Sequence, residues 1–403
     1  MVELPELGCI FPAMTQQLRI PAVYMRGGTS KGVFFLKDEL PSDPKARERL
    51  LMRVIGSPDR YGKHTDGMGG ATSSTSKIVI LSKSARADCD VDYLFGQVAI
   101  DRPAIDWTGN CGNLSTAVGP FAISSGLVAA PPDGTATVRI WQANIKKRII
   151  SHVPMQGGEV QELGSFELDG VAFSAAEVKL EFIDPAADEG DGEAAGGAMF
   201  PTGNRIDALD VPGLGKIEAT MINAGNPTIF VDAARLGLKG TELQKDINGN
   251  PKLLALAEQV RAHGAVAMGL TQTPQEATAS RQSTPKLAFV AKPASYTASD
   301  GRLVNAKSFD LLARIFSMGV LHHAMTGTGA VAIAAAAAIP GTVVSRLAST
   351  GADGRLRFGH VSGVLAVGAE AREESGQWSV KKVILSRSAR RLMEGWVRVP
   401  GED

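Results

Sequence analysis

The run AVAIAAAAAI, Ala330–Ile339, constrains this chain most. It offers water no polar side chain, so something must enclose it. At about ten residues it is too short to cross a bilayer, which takes ~20. Its small side chains suit a slim helix that other elements wrap closely. Ahead of it stands the turn MTGTG, Met325–Gly329. A second stretch, DWTGNCGNLSTAVGPFAI (Asp106–Ile123), repeats the design: glycines first, then Leu114, Ala117, Val118, Phe121 and Ala122 at helical spacing. Glycine lets the backbone turn tightly, and the first N–H groups of a helix have no partner within it. Both stretches are therefore read as helix starts that attract anions, and one of them carries a thiol, Cys111.

At 403 residues there is room for two domains of about 150–200 residues each. Lys and Arg total 42 and Asp and Glu total 42, so no net charge draws the chain to nucleic acid or an anionic membrane. Four Trp and four Tyr are too few for a base-stacking surface. The three cysteines, Cys9, Cys89 and Cys111, read as reduced thiols of a cytoplasmic protein. The first residues, MVELPELGCIFPAMTQQ, lack a basic flank and do not read as a secretory signal.

Taken in order, Arg19–Leu36 reads as a hairpin around Gly27-Gly28-Thr29-Ser30, with Arg26 and Lys31 beside the turn. Glu48–Val54 is a short helix. The Gly/Ser/Thr loop from His64 runs into a strand at Ile78–Leu81, and Lys77 stands at the junction. A lysine partly desolvated there can fall from its usual ~10.4 toward neutrality and act as a base. Strands follow at Asp90–Ile100, Thr135–Ile140 and Ile149–His152. The acidic, glycine-rich segment Ala187–Ala198 suits a domain boundary. Beyond it the order restarts: strands at Ile217–Ile222 and Thr228–Val231, a helix at Leu253–His263, a strand at Leu287–Val290 and a helix at Ala306–Ser317. Strands at Val361–Val367 and Trp378–Leu385 close the sheet. An internal duplication is inferred, with domains at 1–186 and 187–385 and the segment 386–403 returning to the first.

The motifs MRGGTSKGVFF, DGMGGATSSTSK, DWTGNCGNLSTAVGPFAI, GAMFPTGN, MINAGNPTIFVD and MTGTGAVA occur in that order. Together they closely resemble the PrpF family over nearly the whole chain. The resemblance implies an α+β fold like that of diaminopimelate epimerase: two pseudo-symmetric domains, each a barrel-like antiparallel sheet around a central helix, with the site between them. In epimerase relatives a cysteine stands at each helix start. Here the first position holds Cys111, but the second holds Thr326, whose hydroxyl is far too weak an acid to replace a thiol. That departure disfavours racemisation and fits isomerisation.

The implied substrate is a small unsaturated tricarboxylate, and the implied activity is cis–trans isomerisation of 2-methylaconitate in the methylcitrate cycle, without a cofactor. Proton removal gives a dienolate, the former double bond rotates, and a proton returns. Lys77 is the expected base, with Cys111 as its partner. The expected substrate contacts are Ser76, the turn residues Gly112, Asn113, Met325, Thr326, Gly327 and Thr328, and the side-chain clamps Arg26, Thr29, Ser30 and Arg281. No metal is expected, because no carboxylate stands at ligand spacing from His322-His323. Partners expected are a second copy of the chain and an aconitase-like 2-methylcitrate dehydratase. Competing readings are a 4-oxalomesaconate tautomerase or allylic isomerase, and a non-catalytic accessory protein of such a dehydratase.

Overall fold

The computed structural model describes residues 17–186, 198–348 and 355–400; most of the expected boundary at 187–198 lies outside them. Sixteen longer strands form one continuous sheet. In chain order they begin with β1 (Leu18–Gly27), β2 (Ser30–Leu36), β3 (Lys77–Lys83) and β4 (Val91–Val98). Next come β5 (Gly134–Gln142), β6 (Lys147–Gln156), β7 (Val178–Ile183) and β8 (Asp207–Val211). Then follow β9 (Gly215–Ala224), β10 (Asn226–Asp232), β11 (Lys286–Ala291) and β12 (Leu311–Ser317). The last four are β13 (Arg355–His360), β14 (Gly363–Glu374), β15 (Gln377–Arg387) and β16 (Ala389–Val399).

Across the sheet the order is β16-β1-β2-β3-β4-β5-β6-β7, then β15-β14-β13-β12-β11-β10-β9-β8, the two runs meeting where β7 pairs with β15. From β16 inward, the pairings of the first run are antiparallel twice, parallel, antiparallel, parallel, then antiparallel twice. From β8 inward, the second run repeats that sequence of senses. The sheet is therefore mixed, not antiparallel throughout as expected. The four parallel pairs (β2–β3, β4–β5, β10–β11, β12–β13) arise because each spans a long crossover rather than a tight turn.

The helices are α1 (Pro44–Ile55), α2 (Ser115–Ser124), α3 (Pro251–Ala267) and α4 (Gly327–Ala338), with a few shorter pieces. Helix α4 is buried from Gly327 through Ala337, and α2 from Ser115 through Ala122. Both pack into one core with the inward residues of the strands, such as Phe34, Val79 and Tyr93 against α2 and Ala288, Leu311 and Ile315 against α4. The outer faces carry α1 on Phe35, Ile78 and Ile80, and α3 on Ile229, Leu287 and Phe289. Alternation along β3 thus sends Val79 and Leu81 inward and Ile78 and Ile80 outward; along β11 it sends Ala288 and Val290 inward and Leu287 and Phe289 outward.

One element differs from expectation. The segment read as a helix over 306–317 is a single 3₁₀ turn followed by strand β12. Every residue of β12 is buried, with Leu311, Ala313 and Ile315 against α4 and Phe316 on the outer side. A strand covered on both faces loses its period-two signal and reads as an unbroken apolar run.

Candidate functional site

The two helix starts touch. A Cβ on Gly112 would lie 2.7 Å from the backbone of Gly327 and Thr328, and one on Gly327 would lie 2.3 Å from that of Gly112. Only glycine allows this approach, so the turn before α2 and the start of α4 form one floor. Each is braced by a hairpin turn. Gly28, at φ +52°, leaves room for the Asn113 side chain, and Gly225, at φ +74°, packs on Val331 and the Thr328 carbonyl. Thr326 caps α4, its hydroxyl accepting from the Gly329 N–H at 3.1 Å.

Above this floor lies a cleft of about 20 Å³, room for a water or two. Of the expected residues, Ser30, Lys77, Cys111, Gly112 and Asn113 line it, as do Thr326, Gly327 and Thr328. The side chain of Lys77 leaves the inner face of β3, donates to Gln97 Oε1 at 2.6 Å and sits 4.9 Å from the centre of the Phe95 ring. Gln97 is held in turn by the Ser76 carbonyl, to which its Nε2 donates at 3.0 Å. Burial pushes the Lys77 amine down from the usual lysine range, against the opposing pull of the neighbouring Cys111 sulfur. That sulfur accepts from the Leu114 N–H at 3.5 Å.

The remaining expected residues lie elsewhere. Ser76 is buried behind Lys77, its hydroxyl 3.3 Å from His64 Nδ1. Met325 presents its carbonyl to Asn113 Nδ2 at 3.2 Å, and the same amide donates to Thr29 Oγ1 at 3.0 Å. Arg387, fully buried, steadies Asn113 by donating from Nε to Oδ1 at 3.2 Å. Arg26 and Thr29 line an adjoining outer hollow of about 720 Å³, with Arg390 and Arg391, and Ser30 belongs to both spaces. Arg26 is occupied with the carbonyls of Gly28 and Ser388, at 3.0 and 2.8 Å. Arg281 lines neither space; its Nη2 donates to Thr284 Oγ1 at 3.2 Å and its Nε is buried without a partner.

The sequence reading passed over several cleft residues, among them Gln97, Asn226, Ser317 and Lys286; His322, weighed there only for a metal, lines the cleft too. Asn226 ties the runs together: its Oδ1 accepts from the Asn110 N–H at 3.0 Å, and its Nδ2 donates to the Asn110 carbonyl and to Thr328 Oγ1. Lys286 donates to Ser317 Oγ at 3.2 Å, and burial, then the charge of Lys77, pushes it down to about 7. His322 stacks on His323 with ring centres 4.6 Å apart. Burial, then His323 and the two lysines, holds His322 well below the usual histidine range. Its Nδ1 accepts from the Ala324 N–H at 3.0 Å, which leaves the proton of the neutral ring on Nε2. A motif such as SKIVIL or PKLAFV reads simply as the start of a strand; only the folded chain shows that both lysines point inward.

No Asp or Glu is among the described residues lining the cleft, and no His/Cys/Asp/Glu group among the described residues could hold a metal ion. Two buried amines, a thiol, amide groups and two helix starts make a cationic pocket suited to a small polyanion that exchanges protons.

The chain is 63% identical over 393 residues to "2-methyl-aconitate isomerase" of Cupriavidus necator, covering 96% of this chain and 98% of that protein. Its fold matches the crystal structure of methylitaconate-delta-isomerase with a TM-score of 0.75 at 38% identity, over 96% of both chains. A probable proline racemase from Agrobacterium radiobacter K84 shares the fold alone, with a TM-score of 0.53 and 14% identity over 95% of this chain and 93% of that one. The family model for PrpF protein matches residues 17–400, and the chain belongs to that family.

Proposed function

We infer that this chain is an isomerase converting 2-methyl-trans-aconitate to 2-methyl-cis-aconitate without a cofactor. The observation that carries the reading is the 63% identity to a 2-methyl-aconitate isomerase along 96% of the chain. The buried lysine and thiol at the meeting of two helix starts supply the chemistry. Lys77 takes the proton next to the conjugated double bond, and the C–H electron pair spreads into a dienolate. The backbone N–H groups of Gly112, Asn113, Gly327 and Thr328 hold the carboxylates, as helix starts hold anions. Cys111 sits beside Lys77 as its polar neighbour. Thr326 caps α4 and plays no part as an acid, which sets this site apart from a two-thiol racemase.

The matching runs of strands support a finer reading of the architecture: two related domains, residues 1–186 with 386–403 and residues 187–385, each wrapped on its inner helix. A 2-methylcitrate dehydratase of the aconitase type would share the cis product.

A ¹H NMR assay of the purified chain with 2-methyl-trans-aconitate, trans-aconitate and 4-oxalomesaconate tests the reading. Turnover of the first, with uptake of solvent deuterium in D₂O, is expected. Preference for 4-oxalomesaconate would instead make the chain a tautomerase, and inertness toward all three would leave an accessory role.

A further inference from the structure

We propose that Lys286 is the second proton carrier of this site, working with Lys77 from the other run of strands; the proposal rests on the isomerase reading. The geometry of the sheet supports it. Strand β3 is the fourth of the first run, after β16, β1 and β2; β11 is the fourth of the second, after β8, β9 and β10. Each is the parallel partner of the strand before it and antiparallel to the strand after it. Lys77 is the first residue of β3 and Lys286 the first of β11. Alternation puts both on the inner face, in step with Val79 and Leu81 on one strand and Ala288 and Val290 on the other.

The match extends to their partners. Lys77 lies opposite Gln97 on β4 and donates to its side chain. The register that pairs Ala288 with Ile315, continued by two residues, brings Lys286 opposite Ser317 on β12, and Lys286 donates to that side chain. Both amines line the cleft, 7 % and 8 % exposed. Two symmetry-matched thiols would serve a racemase here. This chain has Thr326 at the second thiol position, but its two runs keep a matched pair of amines.

The pair suits proton traffic because both amines are not readily charged together in one small buried space. The groups acting on Lys286 are Lys77 and Arg261, which lower its proton affinity, and Asp106 and Cys111, which raise it; burial is the largest single influence. The cycle uses the singly protonated pair, and trans-to-cis turnover starts from its form with Lys77 neutral and Lys286 as the ammonium. From the trans isomer, neutral Lys77 takes the proton, becoming ammonium, and the C–H electron pair enters the dienolate. Rotation about the former double bond swings the reacting carbon toward the second run. The Lys286 ammonium then protonates that carbon, whose electron pair re-forms a C–H bond, and Lys286 is left as the amine. Solvent carries a proton from Lys77 back to Lys286, and in the reverse direction the two exchange roles.

The test uses full-length K286M, K286R and K77M, each checked for folding by circular dichroism, with both isomers followed by ¹H NMR in D₂O. Each proton transfer is typically worth 10²–10⁴-fold. Interconversion by K286M should fall at least ~100-fold in both directions. It should still exchange the hydrogen of the trans isomer with solvent within ~10-fold of the wild-type rate, while exchange from the cis isomer is lost. K77M should show the mirror pattern. K286R should resemble K286M, because a guanidinium keeps its proton. Recovery of turnover by K286R, or a raised KM with kcat kept in K286M, would make Lys286 a fixed carboxylate clamp and overturn the proposal. Should K286M fail to fold, K286Q, which keeps a donor toward Ser317, is read the same way. Full activity in K77M would refute the base assigned to Lys77 whatever Lys286 does, so the two ideas fail separately.

Discussion

Lys77 is buried, paired with a neutral amide and placed beside a thiol, and its burial lowers its hold on the proton, as a base requires. Lys77→Ala should cut trans-to-cis turnover by ~10²–10⁴-fold while leaving the circular dichroism spectrum unchanged. Cys111→Ser should lose less, on the order of tenfold or under, since in the proposed mechanism the thiol neighbours the base rather than carrying the proton; a larger loss than that of Lys77→Ala would reverse their roles. Lys286 also bears on stability. Its folded value of about 7 lies below the ~10.4 of an unfolded chain, so between these values the unfolded state binds the extra proton. Stability from this group is therefore present above about pH 10, declines as pH falls, and is lost below about 7. Lys286→Met should raise the melting temperature at pH 7 more than at pH 10, measured by thermal denaturation at both. At this scale the sequence exposed Lys77, Cys111 and the glycines through their motifs. Lys286 stayed hidden because a lysine opening a strand normally faces water.

Among the elements, the two glycine-led helices were legible because an apolar run too short for a membrane must be enclosed. Strand β12 was misread because burial of both faces erases alternation. The contact between the helix starts carries its own prediction. Gly112→Ala puts a methyl group where the backbone of Gly327 and Thr328 already lies, so the floor must separate. Overpacking of that kind costs typically 1–3 kcal/mol, and activity should drop with it; chemical denaturation alongside the isomerase assay checks both. Thr326→Ala removes the cap of α4 and should cost about 1 kcal/mol, whereas Thr326→Ser keeps it. A turnover loss in Thr326→Ala beyond what its lower stability explains would give the hydroxyl a chemical role.

For the molecule as a whole, the first run of strands is completed only by β16, which pairs with β1 along its length from Leu18–Val399 to Gly27–Ala389. A chain cut after Ser388 exposes the edge of β1, the strand that carries Arg26. Such a truncation should lose soluble protein and activity together, seen by size-exclusion chromatography. The sequence pattern could suggest that the tail returns but not which edge it covers, because strand order depends on contacts far apart in the chain. Finally, the cleft has room for only a water or two while the neighbouring hollow is many times larger. A tricarboxylate must therefore prise the two runs apart to enter, working against the β7–β15 seam, the Gly112–Gly327 contact and the Asn226 clasp. Catalytic tempo in this protein is then expected to be a matter of breathing: tightness that would shelter a carbanion from solvent also slows admission and discharge.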